Sequence, residues 1–212
     1  MKRALITTIF LSMAMIGFAQ RPFRYVSPDF KVIASSHQQL AILPFDVTLQ
    51  LRARELNQPS LRELEIQEGF AIQSLLETSL LRKKAQKGFK VSFQEVNTTN
   101  LILEQNNISA DNIAQYSREQ LANILGVDGI VYGHIRSSQL ISNGASLFIG
   151  LAGGWPPPTV IGELRIQVAD ASNGEVLWRF DTFQEGGLGS SKESIANFML
   201  RRAARRFPYK RL

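Results

Sequence analysis

The chain has 212 residues, 44% of them hydrophobic, with 24 basic and 18 acidic side chains, two histidines and no cysteine. Such a composition builds one packed core and excludes an intrinsically disordered chain. The missing cysteine removes disulfides, thiolate catalysis, cysteine-ligated zinc and a lipid carried on cysteine from the possible chemistry.

Lys2 and Arg3 precede an apolar run from Ala4 to Ile16, and Gly17-Phe18-Ala19 supplies the small residues of a cleavage point. The run is shorter than the ~20 apolar residues that span a bilayer. Residues 1–19 are therefore expected to be a secretory signal peptide, leaving a mature chain from Gln20. Removing Lys2 and Arg3 leaves 22 basic against 18 acidic residues, a formal net charge of +4. Since no later segment is long and apolar enough to span a bilayer as a helix, the mature protein is expected to be soluble, in the periplasm or secreted.

Residues 20–38, with Pro22, Pro28 and no clear period, read as an extended arm. Leu40 to Phe45 reads as a buried strand in which Pro44, unable to donate to a ladder, marks the end or an edge position, and Asp46 to Gln58 as a connection. Pro59-Ser60 with Glu63 forms a capping box opening a helix to about Lys87, stopped by Gly88. Leu61, Leu64, Ile72, Leu75, Leu76 and Leu80 fall on one face of it. Lys90 to Val96 predicts a strand with Val91 and Phe93 inward. Thr98 or Thr99 is expected to cap a helix through Gln105, and Ser109 or Asp111 a further turn.

Ser117 with Gln120 is a capping box for a helix over Arg118 to Leu125, and Gly126 can stop it. Val127 to Ile135 follows as a central strand covered on both faces, with Gly129 and Gly133 allowing close approach of other backbone. Strands over Val160 to Ala169 and Glu175 to Phe183 are joined through the hairpin signal Ser172-Asn173-Gly174. Leu164, Ile166 and Val168 alternate on the first, and Val176, Trp178 and Phe180 on the second. After Gly186-Gly187-Leu188-Gly189, Ser190 or Ser191 starts a final helix. Ala196, Met199, Leu200, Ala203 and Phe207 line its inner face, opposite Arg201, Arg202, Arg205 and Arg206. The order β-α-β-α-α-β-β-β-α is an α/β class, a mixed sheet of about five strands covered by helices, in one domain over 39–207 with a tail at 208–212.

Residues that carry chemistry are sparse. Gly186 to Lys192 lacks the glycine before Lys192 that a P-loop needs and the third glycine of a dinucleotide fingerprint, so it reads as a flexible loop and helix cap. His37 and His134 have no metal-site spacing around them. His134 has Ser137, Ser138 and Asp128 as candidate partners near the end of the central strand. Glu63, Glu65, Glu68 and Glu77, among Arg62, Arg82 and Lys83, read as the solvated face of the long helix. The arginine stripe of Arg201, Arg202, Arg205 and Arg206 is the strongest surface feature, a positive field suited to phosphate or carboxylate groups. The sequence gives no catalytic, metal or cofactor site, and no aromatic interleaving for nucleic acid.

Three stretches, LAILPF from Leu40, LGVDGIVYGHI from Leu125 and IQVADASNGEVLWRF from Ile166, resemble a family of exported envelope proteins. It includes the curli secretion-channel lipoprotein (CsgG-like), the lipoprotein activator of penicillin-binding proteins (LpoB-like) and the amino-terminal domain of the TolB translocation protein. The resemblance spans about Gln39 to Phe207 and implies a periplasm-facing module that binds other proteins and is not an enzyme. Its partners would be envelope proteins, a second copy of the chain or an anionic membrane surface.

The alternatives are a subunit of an oligomeric outer-membrane secretion assembly and an envelope hydrolase. For the first, only Arg136 to Thr159 has room for membrane-crossing strands, and Pro156-Pro157-Pro158 blocks ladder pairing there.

Overall fold

In the computed structural model residues 22–50, 61–137, 160–186 and 192–209 are described. The expected leader, the Pro59-Ser60 cap, the loop 139–159 and the glycine-rich stretch before the last helix lie outside them. The run after Val127 forms β5 (Gly129–Ser137), and the other strands are assembled around it. They are β1 (Phe23–Val26), β2 (Gln39–Ile42), β3 (Asp46–Leu49), β4 (Ser92–Phe93), β6 (Val160–Asp170) and β7 (Val176–Gly186). The helices are α1 (Phe30–Ile33), α2 (Leu61–Lys87), α3 (Val96–Gln105), α4 (Arg118–Leu125) and α5 (Lys192–Arg206), with a 3-10 turn at Ile113–Gln115.

The sheet has seven strands in the order β1-β7-β6-β5-β2-β4, and β3 pairs with β5 beyond the end of β2. β2 and β3 run parallel to β5, and β2 also runs parallel to β4, while β6, β7 and β1 add antiparallel pairs. The α/β class with a mixed, helix-covered sheet is thus as read from sequence. The layering follows from the order: β4 and β5 flank β2 on opposite sides, so right-handed crossovers to them put their helices on opposite faces.

On the first face α2 and α5 cover Leu40, Ile42, Val131, Ile135, Leu164, Ile166, Trp178 and Phe180, all buried. On the second face α3 and α4 cover Ala41, Leu43, Ile130 and Ala169. That second layer is short, and the rest of this face carries Arg136, Glu163, Arg165, Arg179 and Asp181, which form cross-strand and near-neighbour ion pairs.

Local signals and structure agree closely at α4. Ser117 Oγ accepts the Gln120 N–H and the Gln120 side chain accepts the Ser117 N–H, while Gly126 closes the helix with φ of 67°. A Cβ at Gly133 would overlap the Arg165 carbonyl oxygen and the Phe45 ring, so the close approach expected there is real. The hairpin from β6 to β7 turns at Gly174, as its sequence indicates.

The structure differs from expectation in several places. The seven strands exceed the five expected because β1 arises within the supposed arm and β3 within the supposed connection. Both have four residues, too short for a period to show. α3 starts at Val96 after Glu95, and Thr99 is inside it, its hydroxyl donating to Gln94 Oε1 at 2.8 Å instead of capping. The turn expected to be capped by Ser109 or Asp111 has Asn112 at its N-cap, whose side chain bonds Ser109 and Asn107 and does not cap the turn.

The fourth difference is in the α2 carboxylates. Glu65 accepts the Leu49 N–H at 3.0 Å and Glu77 the Val96 N–H at 3.2 Å, while Glu68 is buried. Helical spacing places these residues but cannot say that edge-strand and helix-start donors wait opposite them.

Tyr209, in the supposed tail, belongs to the core. Its ring packs on Phe207 and Phe30, and its hydroxyl is 2.7 Å from His37 Nδ1. The other imidazole nitrogen, Nε2, is 2.8 Å from Asp170 Oδ1. A carboxylate can only accept, so Nε2 carries a proton, and in the neutral ring Nδ1 then accepts from the phenol. Ser172 donates to the second Asp170 oxygen from both its hydroxyl and its N–H. Burial alone would raise the Asp170 carboxyl, but the bonds from Ser172 and His37 outweigh it and hold the pKa below its ordinary value.

This sets a pH dependence. A carboxylate with a depressed folded pKa stabilises the fold fully above its unfolded value, and the contribution is lost as pH falls through the folded value. Asp46 and Asp181 are lowered as well. Urea midpoints should therefore change little on these groups' account from pH 7 to about 5 and fall below about 4, the ordinary aspartate range. Asp170→Asn should flatten the fall more than Asp46→Asn, because the Asp46 side chain is 69% exposed and screened by water.

Candidate functional site

Pro44 makes the site. Ile42 stands beside Val131 and Asp46 beside His134, so Leu43, Pro44 and Phe45 oppose only Tyr132 and Gly133 on β5. One extra residue in a strand shifts the alternation, and every side chain after it changes face. Ile42 therefore faces α2, while Asp46 arrives on the second face next to His134. Proline has no N–H to give the ladder, and the Phe45 N–H instead donates to the Gly69 carbonyl of α2 at 3.2 Å. A Cβ at Gly69 would overlap the Phe45 carbonyl, so that position lets α2 press onto the bulge.

Around the bulge lies a cleft of about 490 Å³. Its floor is Tyr132 and His134 of β5 with Arg165 and Gln167 of β6, and its walls come from the start of α2 and from residues 110–118. His134 Nδ1 is 2.9 Å from Asp46 Oδ2. That hydrogen bond holds the Asp46 carboxyl below its ordinary value against partial burial, helped by the charges of His134 and Arg62. Arg62 crosses the cleft wall, its Nε donating to Asp111 Oδ1 at 2.8 Å and a terminal nitrogen to the Ala110 carbonyl at 2.9 Å. The Arg118 guanidinium lies over the Tyr132 ring, 4.6 Å from its centroid, and the buried Tyr132 hydroxyl has no hydrogen-bond partner among the described residues. Burial pushes the Tyr132 phenol up, with Arg118 and Arg179 pulling the other way.

A second chamber of about 460 Å³ shares Pro44, Ile66, Ala110, Asp111 and Ile113 with the first. It is more apolar, walled by Phe70 of α2, Leu103 of α3 and Ile108. The two form one groove across Pro44, charged at one end and apolar at the other. Several of its charged groups already have partners: Asp46 has His134, Asp111 has Arg62, and Glu65 accepts from Leu49. Among the described residues no serine, threonine or cysteine lines the first chamber, and no three side chains gather as metal ligands.

His134 is a strand-end histidine satisfied by a hydrogen bond, but to Asp46 and not to Asp128 or Ser137. Asp128 accepts the N–H groups of Gln38 and Gln39 at 2.7 and 2.9 Å. Strand alternation puts Ser137 on the other face, and Ser138 is outside the described residues. Asp46 takes their place because the bulge turns it there. The arginine stripe lies on α5 as read from sequence, with Ala196, Met199, Leu200, Ala203 and Phe207 buried beneath it. Arg201 and Arg205 are exposed, Arg202 is half-buried over the Phe198 ring, and Arg206 turns to a separate cleft at the end of the helix.

No protein-family model and no curated protein matches this chain. Solved structures do. The PelC dodecamer from Paraburkholderia phytofirmans aligns over 86% of this chain and 92% of its own, at 11% identity and a TM-score of 0.41. Lipoprotein GNA1162 from Neisseria meningitidis aligns over 80% and 96%, at 13% identity and 0.47. The LpoB C-terminal domain from Salmonella enterica aligns over 74% and 95%, at 13% identity and 0.40. The likeness is one of fold. An LpoB domain, of the kind the sequence resembles, is thus among these solved structures, and nothing about activity or partners comes with the likeness.

Sequence reasoning missed Asp46, Arg62, Asp111, Arg118 and Tyr132 as members of one site. Pro44 within an apolar run was the available signal, because a proline there marks a bulge as readily as a strand end.

Proposed function

We propose that the chain is an exported, soluble, non-enzymatic binding module of the cell envelope that holds a polypeptide segment of a partner protein in the groove across Pro44. The groove itself carries this reading. Each chamber is of the size that takes a ligand group, and together they offer an apolar seat for one side chain and a charged seat for another, as an extended segment requires. Mostly paired acids and bases, with no serine, threonine or cysteine among the described lining residues of the first chamber, suit recognition better than covalent catalysis. Arg201, Arg202, Arg205 and Arg206 would steer an acidic partner toward the module.

Capture of envelope proteins on immobilised protein tests both parts. Phe70→Glu and Arg62→Glu alter the two ends of the groove at exposed positions, whereas Leu101→Glu alters an exposed site on α3 that lines neither chamber. The partner retained by the wild type should fall at least tenfold with either groove variant and stay unchanged with Leu101→Glu, circular dichroism confirming the fold of each. Replacing the four stripe arginines by glutamine should remove most of the salt sensitivity seen as the Debye length contracts from ~10 Å at 0.1 M to ~3 Å at 1 M. Equal capture by wild type and both groove variants would refute the reading.

A further inference from the structure

At the end of α5 a cleft of about 340 Å³ is rimmed by Arg24, Lys31, Lys90 and Arg206, with no acidic side chain in its lining. Among the described residues none of the four forms an ion pair. Lys90 Nζ donates to the Ser35 carbonyl at 3.0 Å, which leaves its charge uncompensated. Like charges gathered around one concavity repel unless an anion sits among them. The same cleft is lined by the aromatic side chains of Phe30, Trp178, Phe207 and Tyr209. Trp178 is 0% exposed, and its Nε1–H has no hydrogen-bond partner among the described residues.

We infer that this cleft binds an organic phosphate, a phosphate ester carried on an apolar body. The four cations suit a group with several charged oxygens better than a single carboxylate, and the aromatic lining takes the apolar part. The Trp178 indole lies beneath that lining, out of reach of solvent, and serves as a reporter of the site. The site is separate from the groove across Pro44, so either assignment stands or falls alone.

Octyl phosphate is the direct probe, read by the fluorescence and indole N–H resonance of Trp178 in a Trp155→Phe background. Saturable binding is expected, with octyl glucoside and inorganic phosphate each at least tenfold weaker. Lys90→Gln and Arg24→Gln, both at exposed positions outside the stripe's own helix, should each weaken octyl phosphate at least tenfold with an unchanged circular dichroism spectrum. Sedimentation with phosphatidylglycerol vesicles then separates the sources. Wild-type sedimentation lost in Lys90→Gln assigns the phosphate to a lipid headgroup, and octyl phosphate binding without sedimentation assigns it to a soluble ester. No saturable response to octyl phosphate, equal binding of octyl glucoside, or equal affinity in both charge variants would overturn the site.

Discussion

Gly133→Ala should cost the fold about 3 kcal/mol or more, the upper end of what overpacking does. The added Cβ would overlap the Arg165 carbonyl oxygen on one strand and the Phe45 ring on another. The carbonyl cannot retreat without opening the pairing of β5 with β6, and the ring sits in the bulge that places Asp46. Gly126→Ala is the comparison. Its Cβ would meet nothing within 4 Å, and only the left-handed backbone at φ of 67° is strained, so about 1–2 kcal/mol is expected. Urea denaturation of the two variants should give a clear order, with Gly133→Ala far less stable or unfolded. Similar midpoints would mean that β5 and β6 can slide apart cheaply, and the site with them.

Tyr209→Ala should be nearly as damaging, at about 3–5 kcal/mol for the loss of a buried aromatic ring. The residue is 3% exposed, packs on Phe30 and Phe207, and holds the buried His37 ring through its hydroxyl. Burial and the nearby charges of Asp170 and Asp128 push its phenol far up, so it stays a donor at any ordinary pH. Tyr209→Phe keeps the ring and orphans His37 Nδ1, which should cost about 1–3 kcal/mol. Chemical denaturation of the pair separates packing from hydrogen bonding. Wild-type stability in Tyr209→Ala would return the residue to the role of an unattached tail.

That prediction marks where the sequence stopped being readable. Long or strongly signalled elements were legible: the capped α4, the apolar β5, the hairpin through Gly174 and the alternating face of β6 each carry their own pattern, whereas on β7 a register shift sets Val176, expected beside Trp178 and Phe180, opposite Ala169 and buries Leu177 instead. β1 and β3 were not, because four residues set no period and each is made a strand by its neighbour, β7 or β5. Tyr209 follows Pro208, which ends the helix, and no local pattern says that His37 waits for its hydroxyl across 172 positions. The site depended on one residue of register. Asp46 reaches His134 only because the strand bulges at Pro44, and pairs 88 residues apart leave no trace in spacing. The arginine stripe was legible because helical periodicity is local, although it gave no hint that Arg206 would part from the other three.

The central claim is that the groove across Pro44 is where this chain meets its partner. Site-specific photocrosslinking in the native envelope tests it most directly, with a benzophenone amino acid at position 70 inside the groove and at positions 101 and 201 outside it. The account predicts one discrete protein adduct at position 70 that disappears when Arg62→Glu is added, and no comparable adduct at position 101. Strong adducts at 101 or 201 with none at 70 would contradict it.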